Sequence, residues 1–241
     1  MSNSSQGLVS TRDAGFTVKW VGAQRNVLQG DISGHIALAS LSGAQNLYAV
    51  GPAEGLRGEV SIFDSVPSIS RITGGVLGVE NHFNINACFV VYAQVSAWQR
   101  ATIQRAIGDP AALETHLLKV ASELGVDVSQ PFPFLIDGTT KHSMFHVLDK
   151  RDGLTHTPEL HEKAKVRFVL QREPVKVIGF YSNRHRGIFT PTDANIHMHV
   201  KNANGQMSGH LEKIQLERGA TLAVPRGRTN GEAKRTQRVE R

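Results

Sequence analysis

The sequence predicts an α/β protein of the α+β kind, built in two parts, and three observations point there. One strongly helical segment, "DPAALETHLLKVASELG", stands near the middle of the chain. Before it, short apolar runs alternate with glycines. After "SQPFPF", which cannot be helical, the apolar segments are all short, with turn residues between them. The expected organisation is an N-terminal α/β part over residues 1–130, a β-rich part over 131–225 with an antiparallel sheet, and a basic tail over 226–241.

Each element has a local reason. "HIALASLS" reads as a short helix, "GEVSIFDS" (Gly58 to Ser65) as a strand, and "NINACFVVYAQV" as a buried strand. "SAWQRATIQRAIG" looks helical. In the segment that follows, Asp109 is an N-cap and Pro110 takes the first helical position, where a missing N–H costs nothing. Leu113, Leu117, Ala121 and Leu124 repeat at helical spacing as a core stripe, and Gly125 can close the end. Beyond it, "KVRFVLQ", "VKVIGFYS", "IHMHVKN" and "MSGHLEKIQLE" read as strands. Cys88, the single cysteine, cannot form an internal disulfide and reads as a small buried residue.

The 241 residues suffice for one large domain or two small ones, and 40% hydrophobic with 20% charged residues is ordinary for a globular protein. No apolar run is long enough for a membrane helix, and the polar start lacks the core of a secretory signal, so the cytoplasm is expected. The net charge of +6 suggests nucleic acid until it is located. The last sixteen residues hold six basic and two acidic residues, a net of +4, while the remaining 225 hold 21 and 19, a net of +2. A polar tail without aromatics is expected to be disordered, and the near-neutral body argues against nucleic acid as the partner.

Chemistry concentrates in "IHMHVKNANGQMSGHL", which spaces its histidines as His-x-His-x10-His: His197, His199 and His210. Asn204-Gly205 is a strong hairpin signal. Alternate residues of a strand share a face, so Asn195, His197 and His199 point the same way. A two-residue turn at Asn204-Gly205 sets His199 directly opposite His210, and any even loop keeps all three imidazoles on one face. Opposed Cβ atoms lie about 4.5–5.5 Å apart, close enough for two rings to share an ion. Three histidines with an open fourth position is the pattern of catalytic rather than structural zinc. The competing reading is three solvated or hydrogen-bonded residues on a polar face. His142, His146, His156 and His161, without a helix around them, read as surface residues.

At this point the sequence resembles the α-acetolactate decarboxylases. "TPTDANIHMHVKNANGQMSGHLEKIQL" is similar to their metal-binding segment, "GLRGEVSIFDS" to an N-terminal segment with Gly58, Glu59 and Asp64 at matching positions, and "FPFLIDG" fits as well; the likeness spans roughly residues 45 to 217. It implies a two-part fold holding a divalent metal, usually zinc, on His197, His199 and His210, with Glu59 as an acidic residue near it. It also implies a carboxy-lyase that converts 2-acetolactate, a small hydroxy-keto acid, to acetoin and carbon dioxide. The metal acts as a Lewis acid that stabilises the enediolate, and a carboxylic acid returns the proton. A homodimer is compatible with this reading.

Two features of that family have no counterpart here. An arginine is expected about ten residues after "IDG"; His146 stands near that place, and histidine does not replace a guanidinium's paired hydrogen bonds to a carboxylate. Arg184 and Arg186 are substitute candidates. A second acid beyond the metal segment is also missing, since Glu217 lies too close to the hairpin and Glu232 lies in the tail. Two alternatives therefore stand: an enzyme on the same three-histidine scaffold with another small substrate, an ester or keto acid, or a binding module like the plant and prokaryote conserved domain. A cupin would need a glutamate soon after His-x-His, and "VKNANGQ" has none.

Overall fold

The computed structural model describes residues 6–10 and 15–227. In chain order the first ten strands are β1 (Gln6–Ser10), β2 (Thr17–Val21), β3 (Ile36–Ala37), β4 (Leu47–Pro52), β5 (Glu59–Phe63), β6 (Val66–Thr73), β7 (Val76–Glu80), β8 (Asn86–Ala87), β9 (Val90–Gln94) and β10 (Trp98–Thr102). The next six are β11 (Phe132–Leu148), β12 (Lys165–Leu170), β13 (Glu173–Tyr181), β14 (Ile196–Asn202), β15 (Ser208–Leu216) and β16 (Thr221–Pro225). The helices are α1 (Gln24–Leu28), α2 (Pro110–Glu123) and α3 (Pro158–Lys163). The chain is thus a strand-dominated α+β protein with antiparallel sheets, as the patterning predicts.

One seven-stranded sheet runs β1-β2-β9-β4-β5-β6-β7. In the second, β11 is the organiser. Its N-terminal half pairs β13, its C-terminal half pairs β12 and β15, and β13–β14 and β14–β15 close the ring. β16 joins β11 on one side and β10 extends the sheet beyond β16. The inside of the ring is the main apolar core, with Phe134, Phe145, Val177, Met198, Val200 and Leu211. A second cluster, including Tyr48, Val50, Val91, Ile178 and Phe180, fills the seam between the two sheets.

α2 forms where expected. Asp109 accepts from the Ala112 N–H at 2.8 Å, Pro110 starts the helix, and Leu113, Leu117 and Ala121 are buried in the main core. "SAWQRATIQRAIG" is not helical. Its first half is β10, paired residue for residue with β16 from Trp98↔Pro225 to Thr102↔Thr221. Trp98 binds there, its indole N–H donating to the Tyr48 hydroxyl at 3.2 Å, so tertiary pairing outweighs the local helical spacing. "HIALASLS" gives β3 followed by one 3-10 turn, Leu38–Leu41. Cys88 is fully buried, and burial pushes its thiol up to about 12. Of the expected tail, Arg226 donates from its backbone to the Ala97 carbonyl at 2.9 Å; residues 228–241 lie outside the described residues. No helix among the described residues is long and apolar enough to cross a membrane.

Candidate metal centre

Register builds the centre. β14 and β15 pair His199↔His210, although the connection is a four-residue loop, Ala203 to Gln206, rather than the two-residue turn of the sequence reading. Both loops are even, so the register and the shared face are the same. The pairing continues outward as one row of neighbours over five strands: Arg167 on β12, His146 on β11, His210 on β15, His199 on β14 and Ile178 on β13. Alternate residues Ile196, Met198 and Val200 turn into the apolar core, which leaves His197 and His199 on the side facing the first sheet. Gly209 permits the close approach of β11, since a Cβ there would meet the His146 carbonyl at 2.5 Å.

The imidazoles of His197, His199 and His210 converge, with their ligand atoms all within 4.8 Å of one another. His197 Nε2 and His210 Nδ1 are 3.1 Å apart, near the ~3.3 Å edge of a tetrahedron around zinc at ordinary Zn–N lengths. Two of the rings are oriented from behind. His197 Nδ1 bonds the Phe189 carbonyl at 2.8 Å, and His199 Nδ1 meets the Ser61 hydroxyl at 2.9 Å. Burial pushes the His197 imidazole down to about 4, and drives those of His199 and His210 well below the ordinary value. They are therefore neutral near pH 7, the form that binds a metal.

Glu59 reaches the centre from the first sheet. Gly58 before it has φ +133°, and a Cβ there would run into the Ser70 carbonyl, so glycine sets the start of β5. Glu59, Ser61 and Phe63 share the face of β5 that looks across the seam. Glu59 is fully buried, with Oε2 3.7 Å from His199 Nε2 and Oε1 3.9 Å from His146 Nε2. Burial raises its carboxyl well above the usual range. Glu59 Oε1 and His199 Nε2 are both buried without a hydrogen-bond partner. An unsatisfied ring nitrogen on His199, beside the ligand nitrogens of His197 and His210, suits a cation held by the three imidazoles.

Five further residues stand in and around the centre: His146, His156, His161, Arg167 and Glu212. His146 is buried rather than on the surface, its ring stacked on His210 at 4.7 Å. Its Nδ1 contacts Glu212 at 2.8 Å, and Arg167 Nε holds the same carboxylate at 2.9 Å. Burial works to raise Glu212, but the His146 and Arg167 hydrogen bonds prevail and hold it at about 2. Glu212 has no opposite residue on β11, because the pairing steps from Met144↔Lys213 to Phe145↔Leu211; it is the extra residue of a bulge. His156, likewise expected at the surface, is buried, with its Nε2 3.2 Å from Nδ1 of the half-buried His161. A cleft of about 400 Å³ reaches the centre, lined among others by His146, His161, Lys165, Asp193, His210 and Glu212. Among the described residues no arginine lines it; Arg186 is tied to Asn195 at 2.8 Å, and Arg184 is not on the wall either.

No family model matches the sequence, and no curated protein matches it. Solved structures do match. The acetolactate decarboxylase of Bacillus subtilis subspecies spizizenii superposes with TM-score 0.72 and 17% identity, covering 87% of this chain and 85% of that one. The fold is that of the acetolactate decarboxylases. The α-acetolactate decarboxylase of Bacillus subtilis gives 0.69 at 16% identity, over 85% and 84% of the two chains. A Staphylococcus aureus protein of unknown function, described as similar to α-acetolactate decarboxylase, gives 0.66 at 13% identity over 86% and 83%. At such identities the likeness is one of fold. Within an acetolactate decarboxylase fold, this chain brings together all four of the residues singled out from its sequence, Glu59, His197, His199 and His210.

Proposed function

We propose that the protein is a metal-dependent carboxy-lyase that converts 2-acetolactate to acetoin and carbon dioxide. The observation that carries this reading is the convergence of two buried imidazoles and a half-buried one with a buried carboxyl, inside an acetolactate decarboxylase fold and at the end of an open cleft. His197, His199 and His210 would hold a divalent metal, with zinc suited to three imidazoles and an open position. A bound cation supplies Lewis acidity toward the oxygens of a hydroxy-keto acid as negative charge builds on loss of carbon dioxide.

The chain's own groups do the rest. Glu59, protonated by burial, delivers the proton to the carbon that has lost its carboxylate. Glu212 and Arg167 fix the His146 ring, which presents Nε2 toward Glu59 on the cleft side. The apolar core behind β14 and the seam cluster keep water away from the imidazoles except through the cleft.

A second reading keeps the metal and changes the substrate to another small keto acid or an ester. The observation that favours it is His146 on a wall without arginine, where a substrate carboxylate would call for a guanidinium. One assay separates them: the zinc-loaded full chain is incubated with racemic 2-acetolactate, and acetoin is measured. Acetoin formation with turnover supports the first reading. Its absence, with turnover of a keto acid or ester from a parallel panel, establishes the second.

A further inference from the structure

Ser61 lies on β5 two residues after Glu59, fully buried in the seam. Its hydroxyl is 2.9 Å from His199 Nδ1, and the Ser208 hydroxyl, on β15, donates to it at 3.3 Å. Nε2 has no hydrogen-bond partner and belongs to the converging trio, so holding a metal there needs its lone pair free and the ring proton on Nδ1. Ser61 then accepts from Nδ1–H, and its own proton is free to point elsewhere. His197 gets the same service from the Phe189 carbonyl, a backbone group that no side-chain substitution removes. His199 depends in part on a side chain, and that side chain belongs to the other sheet.

We propose that Ser61, braced by Ser208, is a positioning residue that holds the His199 ring in the tautomer whose Nε2 faces the metal position. The proposal rests on the metal-site reading above. It adds that the first sheet contributes twice to the centre, once through Glu59 and once through the orientation of a histidine carried by the second. Its physical basis is that ligating histidines are kept in tautomer and direction by the partner of the other ring nitrogen. Ser208 brings β15 within reach of the brace, and both serines are fully buried in the seam.

The test uses the full chain with Ser61→Ala, Ser61→Thr and Ser208→Ala. Zinc affinity is measured by competition with a chromophoric chelator, and the ring 15N signals of His199 are recorded in the metal-free protein. Ser61→Ala is expected to weaken zinc binding about 10–100-fold and to move the His199 signals from a single Nδ1–H form toward a mixture. Ser61→Thr, which keeps the hydroxyl, restores both, and Ser208→Ala gives a smaller change in the same direction. If Ser61→Ala binds zinc as tightly as the wild type with unchanged ring signals, Ser61 does not set the tautomer and the proposal falls, even if the melting temperature drops. If the wild type takes up no zinc, the metal reading falls, and the ring signals of metal-free Ser61→Ala still decide the role of Ser61.

Discussion

The two walls of the centre are built from different materials. On the β14–β15 hairpin stand His197 and His199, buried and oriented by uncharged groups, the Phe189 carbonyl and the Ser61 hydroxyl, and beside them the half-buried His210; all three are held neutral. On the side of β12 and the end of β11, His146 is held by charges: Glu212 by Arg167, with Lys165 3.6 Å from the same carboxylate and Glu162 paired to both cations. The first wall has nothing to gain from charge until a cation arrives. The second is already balanced and opens on the cleft. Under the proposed function the hairpin would hold the metal and the charged side would handle the substrate, with Glu59 between them.

That contrast can be broken by substitution. The largest effect is expected from His199→Ala, which removes a ligand from the neutral wall: zinc content and acetoin formation are lost together. Glu59→Gln keeps the shape and removes the titrating group. Metal content should survive while turnover falls by roughly 10²–10⁴, the usual worth of a positioned acid. Full activity in that variant would reduce Glu59 to a buried strand residue. On the charged wall, Glu212→Gln frees His146 without touching the trio. It should retain zinc and lower kcat/KM by about 10-fold, and loss of metal instead would merge the two walls into one.

The walls also differ in pH response. Burial holds His197 at about 4 in the fold, against 6.5 when unfolded. Between those values the unfolded chain takes up protons that the metal-free fold refuses. The contribution of His197 is therefore complete above pH 6.5 and is lost as pH falls toward about 4. It amounts to roughly 3 kcal/mol. Glu59, whose carboxyl is raised, works in the opposite sense, so the loss is cleanest in metal-free Glu59→Gln, read by denaturant unfolding across that window. A stability that rises on acidification there would contradict the neutral wall. The smallest effect belongs to Arg167→Ala. Its side chain is 37% exposed, so its ion pairs with Glu212 and Glu162 are screened, and unfolding should change by less than about 1 kcal/mol.

The sequence made the hairpin legible and left the charged wall dark, for a physical reason. His197, His199 and His210 lie on adjacent strands joined by a short even loop, so parity alone places them on one face. His146 comes from β11, and its position beside His210 follows from a long-range pairing that no local pattern announces. Glu212 was within reach of the same parity rule, two residues after His210, and its bulge keeps it on the outer face while Leu211 and Ile214 turn inward. Ser61 was similarly readable as the residue two beyond Glu59, but only the seam between sheets gives that spacing a meaning. The misread segment at β10 is of the same kind: its partner β16 lies far along the chain, and local helical spacing cannot see it.

The central claim is that the three imidazoles of the hairpin share one divalent ion and that Glu59 does not hold it. Metal analysis by mass spectrometry of the full chain, purified without chelator in the wild-type, Glu59→Gln and His199→Ala forms, tests this directly. The account predicts stoichiometric zinc in the first two and its loss in the third. Equal metal in all three forms, or metal lost from Glu59→Gln as readily as from His199→Ala, would contradict it.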